Sequence, residues 1–204
     1  MLFEDTYLTI KEPSIGFLKD RGSKFSGFAF PVDNEEQVKI RLAELRKMHP
    51  NATHHCYAFR LGADKQAFRA NDDGEPSYTA GKPILGQIQS NDLTNILIVV
   101  VRYFGGTLLG VSGLINAYKH AAADAILNAT IIEKTVNDIY EIYFEYLQMN
   151  AVMKIIKDEK LDILSNDFEL TCSLNFSVRK SDSTKVYDLM SNINGLEIKY
   201  LKTI

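Results

Sequence analysis

The sequence predicts an α+β protein built in two parts, residues 1–132 and 133–204. Three observations carry this. Short apolar runs alternating with period two are interleaved with stretches of helical period. The stretch VVVRYFGGTLLGVSG, Val99 to Gly113, reads as strand, glycine turn and helix start. Residues 138–201 follow the order β-α-β-β-α-β, the split unit of ferredoxin-like domains.

Composition bounds the function classes. Apolar residues make up 46% of the 204, enough to bury a core, and no apolar run reaches the roughly 18–20 residues of a membrane span. The acidic start, MLFEDTYLTIKE, lacks the layout of a signal peptide. Cys56 and Cys172 lie far apart and are too few for a secreted disulfide scaffold, which points to reduced thiols in the cytoplasm. Residues 1–132 carry 14 Lys+Arg and 14 Asp+Glu, and residues 133–204 carry 9 and 12. Neither part is the strongly basic body of a dedicated DNA binder, so any nucleic-acid contact has to come from a local patch.

The elements follow in order. Strands are expected near Tyr7–Phe17 and Lys24–Pro31, then a helix opened by Asp33 and Glu36 that carries Val38, Leu42 and Leu45 on one face to Met48. Thr53–Leu61 reads as a strand and Asn71–Gly74 as a turn. Thr79–Gln89 reads as a helix with Pro83 near its first turn, and Thr94–Phe104 as the central strand. A long alanine-rich helix runs from Gly110 to Asn128. The second part reads as strand Asp138–Tyr146, helix Gln148–Lys160, a strand around Phe168 and strand Leu170–Val178. A helix capped by Ser181 and a last strand, Leu196–Leu201, complete it.

Gly105 and Gly110 have the spacing of a P-loop, but Val111 and Ser112 follow where Lys-Ser/Thr is required, so the stretch does not match a hydrolysing P-loop NTPase. Two readings stay open. Gly105-Gly106 permit positive φ at a tight corner, with Gly113 letting the helix approach the sheet. Alternatively, the unpaired N–H groups of the helix start, with Arg102, hold one phosphate of a polyanion. In the acidic turn, Asp72, Asp73 and Glu75 could bind Mg²⁺ or supply an acid–base pair, helped by His54 or His55, and they also fit a solvated turn before a helix. His54 and Cys56 share one side of a strand about 6.6 Å apart, too far for a catalytic Cys–His pair. No triad partner presents itself for Ser77 or Ser112.

Three segments, THHCYAFR, DDGEPSYTAGKPIL and VVVRYFGGTLLGVSGLINAY, in this order and spacing resemble the IMPACT/YigZ family over about residues 11–126. The remainder resembles the extra domain of the bacterial YigZ-type members. The resemblance implies an N-terminal α/β sandwich similar to ribosomal-protein and elongation factor G domain IV folds. It also implies a C-terminal domain like the last domain of elongation factor G. Eukaryotic IMPACT proteins regulate translation through a further N-terminal domain that the resemblance does not cover, so their partner is not carried over. Tyr78 and Ser112 stand where the family usually has Gly, and Asn116 where it has Arg or Lys.

Three functions follow from these readings. The first is a non-enzymatic, translation-associated regulator binding RNA or the ribosome, with Lys82, Arg102, Gly105 and Gly106 on the backbone and Tyr103 or Tyr118 stacking on a base. The second is a Mg²⁺-dependent small-molecule phosphate-binding enzyme, with Asp72, Asp73, Glu75 and His54 in the metal or acid–base role. The third is a regulator that docks a protein partner through the same patch.

Overall fold

The computed structural model describes residues 5–168 and 172–204. Leu170, expected to open a strand, lies outside them. Two compact units emerge: Leu8–Lys134, and Thr135–Ile204 with the described residues before Leu8. The division falls two residues beyond the one expected from sequence.

The chain to Thr135 forms β1 (Thr6–Ile10), β2 (Ser14–Asp20), β3 (Ser23–Pro31), α1 (Glu35–Met48), β4 (His54–Leu61), β5 (Ala67–Asn71), α2 (Gly81–Ser90), β6 (Ile96–Tyr103), α3 (Gly110–Leu127) and β7 (Ile131–Thr135), with β2 to α3 wholly in the first unit. β1 and β7 pair with each other, and the chain passes between the units within them. The main sheet has the order β2-β3-β6-β4-β5 with every neighbouring pair antiparallel.

The single strand expected over Tyr7–Phe17 is two strands, because Lys11-Glu12-Pro13 interrupts it and proline has no N–H for a ladder. The cap of α1 is shifted by one residue from the expected Asp33 and Glu36. Gln37 N–H donates to Asn34 Oδ1 at 3.0 Å, and Asp33 N–H donates to Gln37 Oε1 at 2.8 Å.

β6 sits at the centre of the sheet and is apolar from Ile96 to Val101, since both of its faces are covered. Ile96, Ile98 and Val100 pack with α2 and α3, while Leu97, Val99 and Val101 pack with α1. α3 lies unusually close to the sheet. Gly16 and Gly27 are directly paired beneath it, and a Cβ on either would stand 2.2 Å from Ala125 N or 2.4 Å from Ala121 O. The alanines of α3 answer these glycines. Gly113, expected to serve this close packing, faces Leu109 Cβ instead.

The second unit contains β8 (Asn137–Phe144), α4 (Met149–Asp158), β9 (Asp162–Phe168), β10 (Cys172–Arg179), α5 (Ser183–Ser191) and β11 (Glu197–Thr203). Its sheet has the order β11-β8-β10-β9, all antiparallel. Ile142, Phe144, Cys172, Leu174, Phe176 and Val178 face the two helices, which contribute Val152, Ile156, Val186 and Met190. Ser181 does not cap α5, because it belongs to a 3-10 turn ahead of the helix. Its hydroxyl and the bidentate Arg179 guanidinium bond to Asp5, with Arg179 the larger effect, and hold that carboxyl down at about 2.

Among the described residues no helix is long and apolar enough to cross a membrane.

Candidate functional site

Strand alternation decides where the predicted residues go. Arg102 continues the Ile96, Ile98, Val100 face of β6 and points toward α3, and His54 stands directly opposite it on β4. Tyr103, one residue on, points to the opposite face and packs with the α1 cluster. The two therefore cannot share one contact surface on the sheet.

The acidic turn supplies the partner of Arg102. Asp73 and Gly74 have φ of +42° and +90°, and Glu75 N–H donates to the Asp72 carbonyl at 2.9 Å, closing a two-residue turn that suits Asp-Gly. The turn carries Glu75 under α3. There Glu75 Oε1 accepts from Arg102 Nη1 at 2.5 Å and from Tyr118 Oη at 2.7 Å, with His54 Nε2 3.8 Å away. Arg102 is 5% exposed, Glu75 9% and Tyr118 0%. The Arg102 guanidinium lies between the rings of Phe25 and Phe104, at 5.4 and 5.5 Å. His54 Nδ1 is 2.8 Å from the Asp73 carbonyl, an acceptor, so this nitrogen carries the proton.

Burial takes Arg102 and Tyr118 off the surface, where a phosphate contact and a stacked base were expected of them; they tie the end of β6, the acidic turn and α3 together. Burial pushes the Tyr118 phenol and the Cys56 thiol well above their ordinary values, so both stay protonated at neutral pH.

The three acidic side chains diverge rather than converge. Asp72 accepts from Ala80 and Gly81 N–H through Oδ1, at 2.9 and 2.8 Å, and from Tyr78 N–H through Oδ2 at 2.9 Å. It therefore caps α2, whose own cap position, Ala80, has no side chain for the task. Asp73 accepts from His55 N–H at 2.7 Å and from Arg46 at 3.2 Å. Burial lowers the pKa of His55. Among the described residues no three His, Cys, Asp or Glu side chains are placed to hold a metal. The expected Mg²⁺ role of Asp72, Asp73, Glu75 and His54 finds no shared site here. Asp72→Ala should cost about 2 kcal/mol by unpairing the first N–H groups of α2, measured by urea unfolding.

The glycine loop, by contrast, is at the surface. Gly105 has no positive φ, and its lack of a side chain serves a close approach: a Cβ there would stand 1.9 Å from the Gly22 carbonyl carbon. Gly106 does adopt φ +85°. Leu108 is 82% exposed, and α3 begins beyond it with no side-chain cap and no acidic residue in its first turn. Lys82 is exposed and its ammonium sits 5.6 Å from the Tyr78 ring centre. Tyr78, where the resemblance implies glycine, has φ +67°, the conformation for which glycine is the usual residue. Asn116 and Ser112 are exposed on α3.

The residue reading missed the partner of this loop. Gly22 belongs to the β2–β3 hairpin, whose two-residue tip, Arg21-Gly22, has φ of +43° and +81°. Lys19 and Lys24 stand directly opposite each other just behind it. Like charges in that register are destabilising, and among the described residues none of Lys19, Arg21 and Lys24 has a carboxylate within 4.0 Å. The signal was present as KDRGSK between two alternating strands. Nothing local tied it to a loop more than 80 positions away.

Comparison with known proteins converges on one family. The Impact N-terminal domain model matches residues 21–126. IMPACT family member YigZ of Escherichia coli is 36% identical over 149 residues, covering 72% of this chain and 73% of that one. IMPACT family member YvyE of Bacillus subtilis is 31% identical over 155 residues, covering 76% and 71%. Protein IMPACT of Homo sapiens is 34% identical over 148 residues, 70% of this chain and 43% of its own length. A crystal structure described as that of an hypothetical protein superposes with a TM-score of 0.76 at 29% identity, over 98% of this chain and 99% of its own. The matched residues include the hairpin tip, the acidic turn, the Glu75–Arg102–Tyr118 cluster and the glycine loop, and the chain belongs to the IMPACT family.

Proposed function

We propose that this chain is a non-enzymatic, translation-associated regulator that binds RNA, in the ribosome or outside it, through the hairpin tip and the glycine loop. The observation that carries the reading is the set of three cations, Lys19, Arg21 and Lys24, without a carboxylate partner among the described residues, on a hairpin whose Gly22 backbone rests on Gly105. Repulsion between Lys19 and Lys24 is relieved when an anion lies between them. Beyond the glycine loop, the start of α3 has no side-chain cap for its first N–H groups. The role of Arg102 changes accordingly: held by Glu75, it fixes the loop that other groups use. Lys82 remains a surface cation of the signature.

Family membership supports the translation setting, together with the architecture. The first unit, a sheet covered on both faces by helices, is read as the domain IV type, and the sheet order of the second as ferredoxin-like. Fold analogy alone does not assign function, so the experiment addresses binding directly. Purified protein is co-sedimented with ribosomes and their subunits at two salt concentrations, beside a Lys19→Gln, Arg21→Gln, Lys24→Gln triple variant. The expected result is association that weakens with salt, with a salt dependence lower by up to about three phosphate contacts in the variant. Association indifferent to both salt and the triple substitution overturns the reading. Arg102→Ala is unsuitable as a test, because it removes the partner of a buried carboxylate.

A further inference from the structure

We infer that Gly22, Lys24, Tyr103 and Phe104 form a seat for one unstacked base, so that the ligand of this surface is single-stranded RNA. The inference rests on the RNA reading above and narrows it. These four residues line an open cleft of about 400 Å³ at the end of the central strand. Lys24 and Tyr103 are directly opposite in the β3–β6 register, so their side chains stand on one face. Tyr103 is held in place: its hydroxyl is 2.9 Å from His49 Nδ1 and its ring lies edge-on to that imidazole. Phe104 covers the Arg102 guanidinium and is still 47% exposed.

The half-exposed Phe104 ring, in one cleft with Lys24, suits a nucleobase, because every base offers a π-face and each nucleotide brings a phosphate. Lys19 and Arg21, on the adjoining hairpin, are available for those phosphates. A duplex does not offer this contact. Its bases are stacked, and the deep, narrow major groove of A-form RNA does not admit such side chains. A base displaced from a strand, loop or bulge does.

The test is fluorescence anisotropy with a labelled ten-nucleotide RNA, single-stranded or annealed to its complement, at one low salt concentration. The wild type should bind the single strand at least tenfold more tightly than the duplex. Phe104→Leu keeps an apolar body over Arg102 and removes the π-face. It should weaken single-strand binding about tenfold, the loss of one stacked base, and leave duplex binding unchanged. Lys24→Gln, at the cleft rim and outside the core, should also weaken single-strand binding more than duplex binding. Duplex binding equal to single-strand binding overturns the inference and leaves the RNA reading standing, as does an undiminished Phe104→Leu variant. Binding of neither RNA overturns the RNA reading and this inference together.

Discussion

Glu75→Ala should destabilise the protein by about 3–5 kcal/mol, the cost of leaving one charge of a buried pair without its partner. Arg102 is 5% exposed and stacked between Phe25 and Phe104, so it cannot reach water without dismantling the end of β6. Tyr118 loses its acceptor in the same substitution. Tyr118→Phe alone should cost less, about 1.5–3 kcal/mol, the value of a hydrogen bond to a charged group. The decisive measurement is the double variant Glu75→Leu, Arg102→Met in urea unfolding. It removes both charges and refills their space, and should recover most of the loss. A double variant as unstable as Glu75→Ala would mean that shape, rather than charge compensation, holds the cluster.

Gly105→Ala should cost about 3 kcal/mol, at the upper end for inserting one carbon into a packed region. The added Cβ meets backbone atoms of Gly22 and Ser23 at 1.9 to 2.2 Å, and neither can turn away as a side chain would. The hairpin tip must therefore move off the glycine loop. Gly106→Ala is the control. Nothing lies within 4 Å of its Cβ, so it meets only the strain of φ +85°, about 1–2 kcal/mol. Urea unfolding separates the two. If the hairpin and loop act as one binding surface, Gly105→Ala also weakens RNA association under conditions where the variant remains folded, and Gly106→Ala does so less.

Most elements were legible because their signals are local. The acidic turn shows its Asp-Gly, α1 shows its 3.6 period, and β10 shows its strict alternation. Two strands of the first unit were not legible. β5, AFRAN, and β7, IIEKT, are almost wholly exposed, so no core-facing alternation marks them, and only their partners β4 and β1 make them strands. At the site, the signature residues were found from sequence but several were given the wrong surroundings. Arg102 beside a glycine loop looks like a phosphate ligand until its carboxylate partner, 27 positions earlier, is in place. Asp72 and Asp73 look like metal ligands until the amides of α2 and β4 claim them.

The sequence by itself determined most of the element types, the Asp-Gly turn and the family, because these depend on periodicity and turn chemistry within a few residues. Only the tertiary structure decided which of the marked residues are buried and which meet solvent. That depends on the sheet bringing β4 and β3 to either side of β6, which sets Glu75 on Arg102 and the cations of the hairpin tip beside Gly105. Contacts of such separation are fixed by packing and strand register, and no local pattern encodes them.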